Sequence, residues 1–212
     1  PYAEESLFSL GEKVIMMSAT IMNKEAFCQT LGINQDDCGF ITIPSPFETK
    51  NRPVIFSPVG SMSAKNIDQT LPRLASAVRE ILDHHKEEKG IIHCKTFKIA
   101  HYIKNNVKSD RFIIHDSTNR EEMLSKHIKS KKNTVLLSPS MTEGVDLKDD
   151  ASRFQVICKV PFPYLGDKLV KKRMNKFPKW YNLQTAKTIV QSAGRSIRNK
   201  DDHAVTYILD GD

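Results

Sequence analysis

The sequence predicts an α/β fold of three layers, a mostly parallel sheet covered by helices on both faces. Three observations predict it. Short apolar, β-rich runs alternate with helical segments along the chain, the order that gives a parallel sheet sandwiched between helices. The polar motifs sit just after strands or at helix termini, where ligands of such sheets collect. The 212 residues, 39% of them apolar, suffice for one large domain with a substantial core.

Taken in order, Val14–Met17 reads as a buried strand and Lys24–Leu31 as a helix, with Asn23 placed to cap it. A looser region, Asn34–Pro53, is punctuated by Pro44, Pro46 and Pro53, and Pro53–Phe56 is a short strand. Leu71–His85 carries apolar residues at Leu71, Leu74, Ala75, Val78, Ile81 and Leu82, the spacing of an amphipathic helix. The alternation then becomes regular. Gly90–Cys94, Phe112–Ile114, Thr134–Leu137, Phe154–Val160 and Ala204–Leu209 read as strands, and Phe97–Val107, Arg120–Ile128 and Thr185–Ser196 as helices. No repeat, low-complexity tract or internal boundary interrupts them, so residues 1–212 are expected to form a single domain.

Composition narrows the function classes. No stretch approaches the roughly 18 uninterrupted apolar residues of a membrane helix, and no secretory pattern opens the chain. The first residue is Pro1, with a strand candidate close behind, which is expected of a cut inside a longer polypeptide. The net charge of +7 favours a polyanionic partner. Cys28, Cys38, Cys94 and Cys158 form no C-x-x-C pair and lie near no H-x₃₋₅-H, so no zinc or iron–sulfur site is expected. Cysteines within apolar runs read as small core residues and place the chain in a reducing, intracellular compartment, the cytoplasm. His84, His85 and His127 read as surface residues.

Five segments carry chemistry. Residues 191–198, Gln-Ser-Ala-Gly-Arg-Ser-Ile-Arg, end a helix with Arg195 and Arg198 three apart on one face, and Gly194 lets another surface approach. Such a guanidinium pair suits phosphate oxygens, although an isolated R-x-x-R is equally a salt-bridged helix end. Ser138–Leu147 follows a strand and sets Glu143 and Asp146 around Gly144; it reads either as a polar capping loop or as a site for a ribose, a water or a metal-bound phosphate. Met17–Ile21 contains Ser18-Ala19-Thr20 after the first strand. His93–Phe97 makes a strand-to-helix turn in which the Thr96 hydroxyl can meet a phosphate and Phe97 can face a base or pack in the core. Lys168–Lys179 carries six cations before Trp180 and Tyr181, read either as a solvated basic helix anchored by Trp180 or as a track for a single strand.

Taken in chain order, the segments resemble the second RecA-like motor domain of the XPD/DinG family of superfamily 2 DNA helicases, closer to its DinG-like members. Q-x-x-G-R-x-I-R resembles the family's last motif, Glu143, Gly144 and Asp146 its fifth, His93–Phe97 its fourth and Ser18-Ala19-Thr20 its third. Ser45-Pro46-Phe47, Pro161-Phe162-Pro163, Gly166-Asp167 and Asp201–Val205 extend the likeness over almost the whole chain. The resemblance implies an ATP-dependent DNA helicase moving 5′ to 3′ on single-stranded DNA. In it Arg195 and Arg198 reach the γ-phosphate, Gln191 positions nucleotide or water, and Glu143, Gly144, Asp146 and Gly194 line the nucleotide cleft. Thr96, Phe97, Ser138 and Thr142 hold the nucleic acid, and Ser18, Ala19 and Thr20 couple hydrolysis to movement.

Two departures qualify the likeness. Met141-Thr142 stands where DinG-like proteins carry aromatics, and the chain has neither a G-x-x-x-x-G-K-[ST] loop nor an Asp-Glu pair. ATP and Mg²⁺ are therefore expected in a site completed by a missing N-terminal motor domain, with no metal ligands from this chain. The isolated chain is expected to be inactive. The expected partners are that domain and single-stranded DNA, with no membrane. The alternative reading is a stand-alone, non-catalytic nucleic-acid-binding module.

Overall fold

The computed structural model describes residues 5–116, 118–139, 147, 149–194, 196–197 and 201–212. Strand formation follows the apolar runs: β1 Val54–Gly60, β2 Gly90–His93, β3 Phe112–Ile114, β4 Val135–Ser138, β5 Phe154–Ile157 and β6 Val205–Asp210. They form one sheet in the order β1-β6-β5-β2-β4-β3, and every pairing is parallel. The described helices are α1 Lys24–Leu31, α2 Ile67–His84, α3 Phe97–Asn106, α4 Arg120–Lys129, α5 Lys168–Lys176 and α6 Pro178–Ala193. The chain divides into two compact units, one of Pro1–Pro44 with Phe162–Gln191 and one of Ser45–Pro161 with Ser192–Asp212. No described helix is long and apolar enough to cross a membrane.

The second unit contains the whole sheet. Because side chains alternate across a strand, β2, β4 and β5 send Ile92, Val135, Leu137, Phe154 and Val156 to one face. There they pack with the apolar stripe of α2 (Leu71, Leu74, Val78, Leu82) and with Ile99 and Ile103 of α3. Ile91 and Leu136 point to the opposite face and pack with Leu124 of α4, Leu147 and Ala151. The three-layer expectation is met, with the strands buried on both faces as a parallel sheet requires.

Gly90 is demanded by this packing. A Cβ built there would overlap the Phe154 ring, which is fully buried and stacked on His85 at 4.5 Å between centroids. Arg111 closes the same end of the domain. Its guanidinium donates to the carbonyls of Leu82, His85, Glu88 and Asn133, taking up acceptors left at the end of α2.

In the first unit, Asn23 caps α1 as expected, its side chain accepting the Ala26 N–H at 2.8 Å. Asp167 caps α5 by accepting from Leu169 and Val170. Phe177 breaks the helix, as a residue before proline tends to, and Pro178 occupies the first position of α6.

Three expectations fail. Val14–Met17 is not a strand, and Ile15 and Met17 are almost wholly exposed. A strand needs a neighbour for its N–H and C=O groups, and the first unit holds no strand among the described residues. The last long helix begins at Pro178 and ends at Ala193 rather than spanning Thr185–Ser196. His85 and His127 are buried, while His84 is exposed as expected. Three of the four cysteines are buried, as the core reading required, and Cys38 is partly exposed.

His127 is held neutral by its site. Its Nε2 donates to the Ala151 carbonyl at 2.8 Å, and its Nδ1 accepts the Thr134 hydroxyl at 2.9 Å. Burial is the main cause that lowers its pKa from 6.5 to about 4, with the nearby Lys89 charge acting the same way. The unfolded chain therefore takes up a proton near pH 6.5 while the fold resists until about 4. Stability is complete above pH 6.5 and is lost as pH falls through this window. Between pH 7 and 4.5 urea unfolding should show a loss on the order of 2–3 kcal/mol from this group. His127→Gln should flatten that part of the profile, and identical profiles for variant and wild type would exclude the assignment.

Candidate functional site

The α4 face of the sheet gathers polar side chains from adjacent strands, His93 and Ser138 at the carboxyl ends of β2 and β4 and Gln155 and Thr206 one residue into β5 and β6. His93 and Ser138 are register partners, and Gln155 pairs in register with Ile91 and with Thr206. All four polar residues of this strip are buried, so each requires a partner. Gln155 faces His93, with Oε1 to Nε2 at 3.3 Å, and its Nε2 donates to the Ala193 carbonyl at 2.9 Å.

That second bond matters because Ala193 is the last residue of α6, where carbonyls have lost their helical donors. Gln155 thereby fixes the point at which the chain leaves α6. Gly194 follows in an exposed turn, and Ser196 and Ile197 return into the core. Arg195 and Arg198 themselves lie outside the described residues, as do Met141, Thr142, Glu143, Gly144 and Asp146.

The fourth-motif segment turns sharply after β2. Lys95 adopts φ 65°, the left-handed region in which a side chain is strained. This bend sets Thr96 as the N-cap of α3, its hydroxyl accepting the Ile99 N–H at 3.3 Å. The hydroxyl hydrogen remains available to an acceptor, and Lys95 is exposed beside it. Phe97 is 45% exposed and stacks loosely on His101 at 6.2 Å, so the core alternative for this ring is excluded. Ser138 is buried behind the turn, and its carbonyl accepts the Cys94 N–H at 2.8 Å. Burial, and after it the neighbouring Cys94, push the Cys158 thiol well up, which leaves it a protonated core group.

In the first unit the structure joins two segments far apart in sequence. Thr20 is buried, and its hydroxyl accepts the Gln191 side-chain amide at 3.0 Å. Its own N–H donates to the Ser18 hydroxyl at 3.2 Å. Ser18 and Ala19 remain exposed, and Met22, at φ 67°, turns the chain toward the cap of α1. The third-motif and last-motif segments therefore meet through Thr20 and Gln191. The aromatics after the basic run are committed to packing. Trp180 is buried under the Arg173 guanidinium, 4.5 Å from the ring centroid. Tyr181 stacks on Phe162 and donates to the Pro163 carbonyl.

Gln155 is the participant that the sequence does not single out, while His93 and Lys95 lie in the fourth-motif segment without a role of their own. The available signal was a polar residue inside each of two otherwise apolar central strands. No group of three or more His, Cys, Asp or Glu suited to a metal ion occurs among the described residues.

Residues 76–211, more than half of the chain, match the family model described as the helicase C-terminal domain. The ATP-dependent DNA helicase DinG of Photobacterium profundum is 25% identical across 98% of this chain and 33% of its own length. The ATP-dependent DNA helicase YoaA of Escherichia coli is 23% identical across 87% of this chain and 30% of its own. The chain thus spans about a third of the length of these relatives. A solved XPD helicase superposes with a TM-score of 0.71 at 18% identity, over 96% of this chain and 40% of that one. S. tokodaii Xpd4 gives 0.58 at 17% identity, over 74% and 34%. At these identities the structural likeness speaks for the fold, which is the RecA-like α/β architecture.

The Thr20–Gln191 contact should register in a double-mutant cycle. Thr20→Val, Gln191→Met and the double variant, compared by chemical unfolding, are expected to give a coupling of about 0.5–1.5 kcal/mol. Strict additivity would mean that the bond does not form in solution.

Proposed function

This chain belongs to the helicase C-terminal domain family, and we propose that it is the second RecA-like motor domain of an ATP-dependent DNA helicase moving 5′ to 3′. Both compact units belong to that single domain. The observation that carries the reading is the set of contacts made by Gln191, Ala193, Ser196 and Ile197. Gln191 is bound to Thr20, the Ala193 carbonyl is held by Gln155, and Ser196 and Ile197 are buried. Contacts of this kind support a motif that serves transition-state stabilisation.

On this reading Arg195 and Arg198 reach toward the γ-phosphate of ATP, and Gly194 allows the nucleotide to approach. Glu143, Gly144 and Asp146 line the same nucleotide. Gln191 gives its amide nitrogen to Thr20, which leaves its carbonyl oxygen to accept from a water or a nucleotide hydroxyl. Thr20, with Ser18 and Ala19, then senses the state of Gln191, the coupling role assigned to that tripeptide. ATP, when bound, supplies the free energy of phosphoryl transfer. Its phosphate loop and Mg²⁺ ligands are assigned to another motor domain, because the sequence holds neither a G-x-x-x-x-G-K-[ST] loop nor an Asp-Glu pair.

Single-stranded DNA meets the turn at Lys95–Phe97. There the Thr96 hydroxyl and the first N–H groups of α3 face a phosphate, and the exposed Phe97 ring takes a base. Ser138 supports this turn from behind, and Thr142 extends the contact. The four free thiols suit a reducing cytoplasm.

In the full-length protein Arg195→Ala is expected to reduce DNA-stimulated ATP hydrolysis at least about 10³-fold. Affinity for single-stranded DNA should stay within a few-fold. Steady-state phosphate release with and without an oligonucleotide measures this, and near-normal hydrolysis would sink the assignment. The 212-residue chain alone is expected to show no ATP turnover in the same assay.

A further inference from the structure

We propose that Tyr164 and the lysine face of α5 form a second binding site for single-stranded nucleic acid, with the ring stacking a base and the lysines following its phosphates. The choice of DNA rests on the motor-domain reading; the site itself rests on the following geometry.

Lys168, Lys171 and Lys172 stand at i, i+3 and i+4 of α5, on one side of the helix, and all three are exposed. Val170, Arg173 and Met174 occupy the other side and are partly buried. Arg173 is occupied by Trp180, and Lys176 lies 5.2 Å from the Phe177 ring. The three lysines have no ion-pair partner among the described residues. The nearest acid in sequence, Asp167, points its carboxylate at the N–H groups of Leu169 and Val170. Like charges spaced in this way weaken a helix, and a polyanion removes that repulsion.

Immediately before the helix, the Tyr164 carbonyl accepts the Asp167 N–H at 3.2 Å and closes a turn. The Tyr164 ring lies directly over Gly166, where an added Cβ would overlap it. Yet the residue is 79% exposed and pairs with no other described ring. The ring is therefore open to solvent over most of its surface, beside the start of the helix. A flat, exposed aromatic next to a row of unpaired cations is the arrangement that binds single strands, since every base offers a π-face and every linkage a charge. An interfacial membrane helix needs a continuous apolar face instead. Here Val170 and Met174 are turned inward, and only Leu165 and Leu169 are exposed nearby.

The test is fluorescence anisotropy of the chain with a fluorescein-labelled oligo-dT of about 20 nucleotides over a salt series. Lys168→Gln/Lys171→Gln/Lys172→Gln should weaken binding and reduce the slope of log K against log salt by about 2, near 0.7 per lost contact. Tyr164→Ala should weaken binding about 5- to 100-fold with the slope unchanged, and Tyr164→Trp should retain it. Wild-type affinity and slope in both the triple-lysine variant and Tyr164→Ala overturn the proposal, as does a chain that binds no oligonucleotide. Equal affinity for a blunt duplex overturns the single-strand assignment. Binding to phosphatidylserine vesicles but not to the oligonucleotide would assign the patch to a membrane. Any of these failures leaves the motor-domain reading standing on the ATPase of Arg195→Ala.

Discussion

The pairing of Gly90–His93 with Phe154–Ile157 in the middle of the sheet is the constraint on which the rest of the second unit depends. On one face it places the Phe154 ring over a residue without a side chain and against His85, so α2 can end close to the sheet. Burying a ring of this size contributes about 1.5–3 kcal/mol, and a methyl group at Gly90 would force it out. On the other face the same pairing sets Gln155 diagonally across from His93 and within reach of Ala193. One strand pair thus organises the apolar core on one side and the polar end of α6 on the other. The division follows from the period of two along a strand.

Most of this unit was legible in the sequence because its strands are short apolar runs and its helices carry local signals. Phe112–Ile114 has the predicted bounds, β2, β4 and β5 fall within three residues of them, and Thr96 caps α3 through its own side chain. What failed was information that is not local. Val14–Met17 has the composition of a buried strand, but a strand also needs a neighbouring edge, and composition says nothing of that. His127 looks like a surface histidine inside a charged helix. Its burial depends on Thr134 and on the Ala151 carbonyl, which only the fold brings to it. The start of α6 was written in Phe177-Pro178, yet the basic run before it masked the boundary.

The candidate site divides along the same line. Glycines, arginines and hydroxyls at strand exits can be read as motifs, since each lies within a few residues of the turn that presents it. The supporting bonds cannot, because Gln155 reaches Ala193 across 38 positions and Gln191 reaches Thr20 across 171. Such contacts leave only a faint sequence trace, a glutamine where the strand period asks for an apolar residue. They nevertheless determine how firmly the legible residues are held, and a displacement of about 1 Å at a catalytic group can cost 10²-fold in rate.

The two proposed nucleic-acid contacts solve different problems. At Lys95–Phe97 a strained backbone and an N-capping hydroxyl fix one position with little freedom, which suits a contact that sets register. On α5 the lysines are long, solvated and without ion-pair partners among the described residues, so each adds affinity that salt screens and none demands a particular geometry. Under the proposed motor-domain reading, a strand would have to be held between steps and released during them. A few rigid contacts alone would be slow to let go, and a purely electrostatic surface would let the strand slip. On the proposed reading the turn would set the strand's position, while each lysine contact would form and break independently of the others.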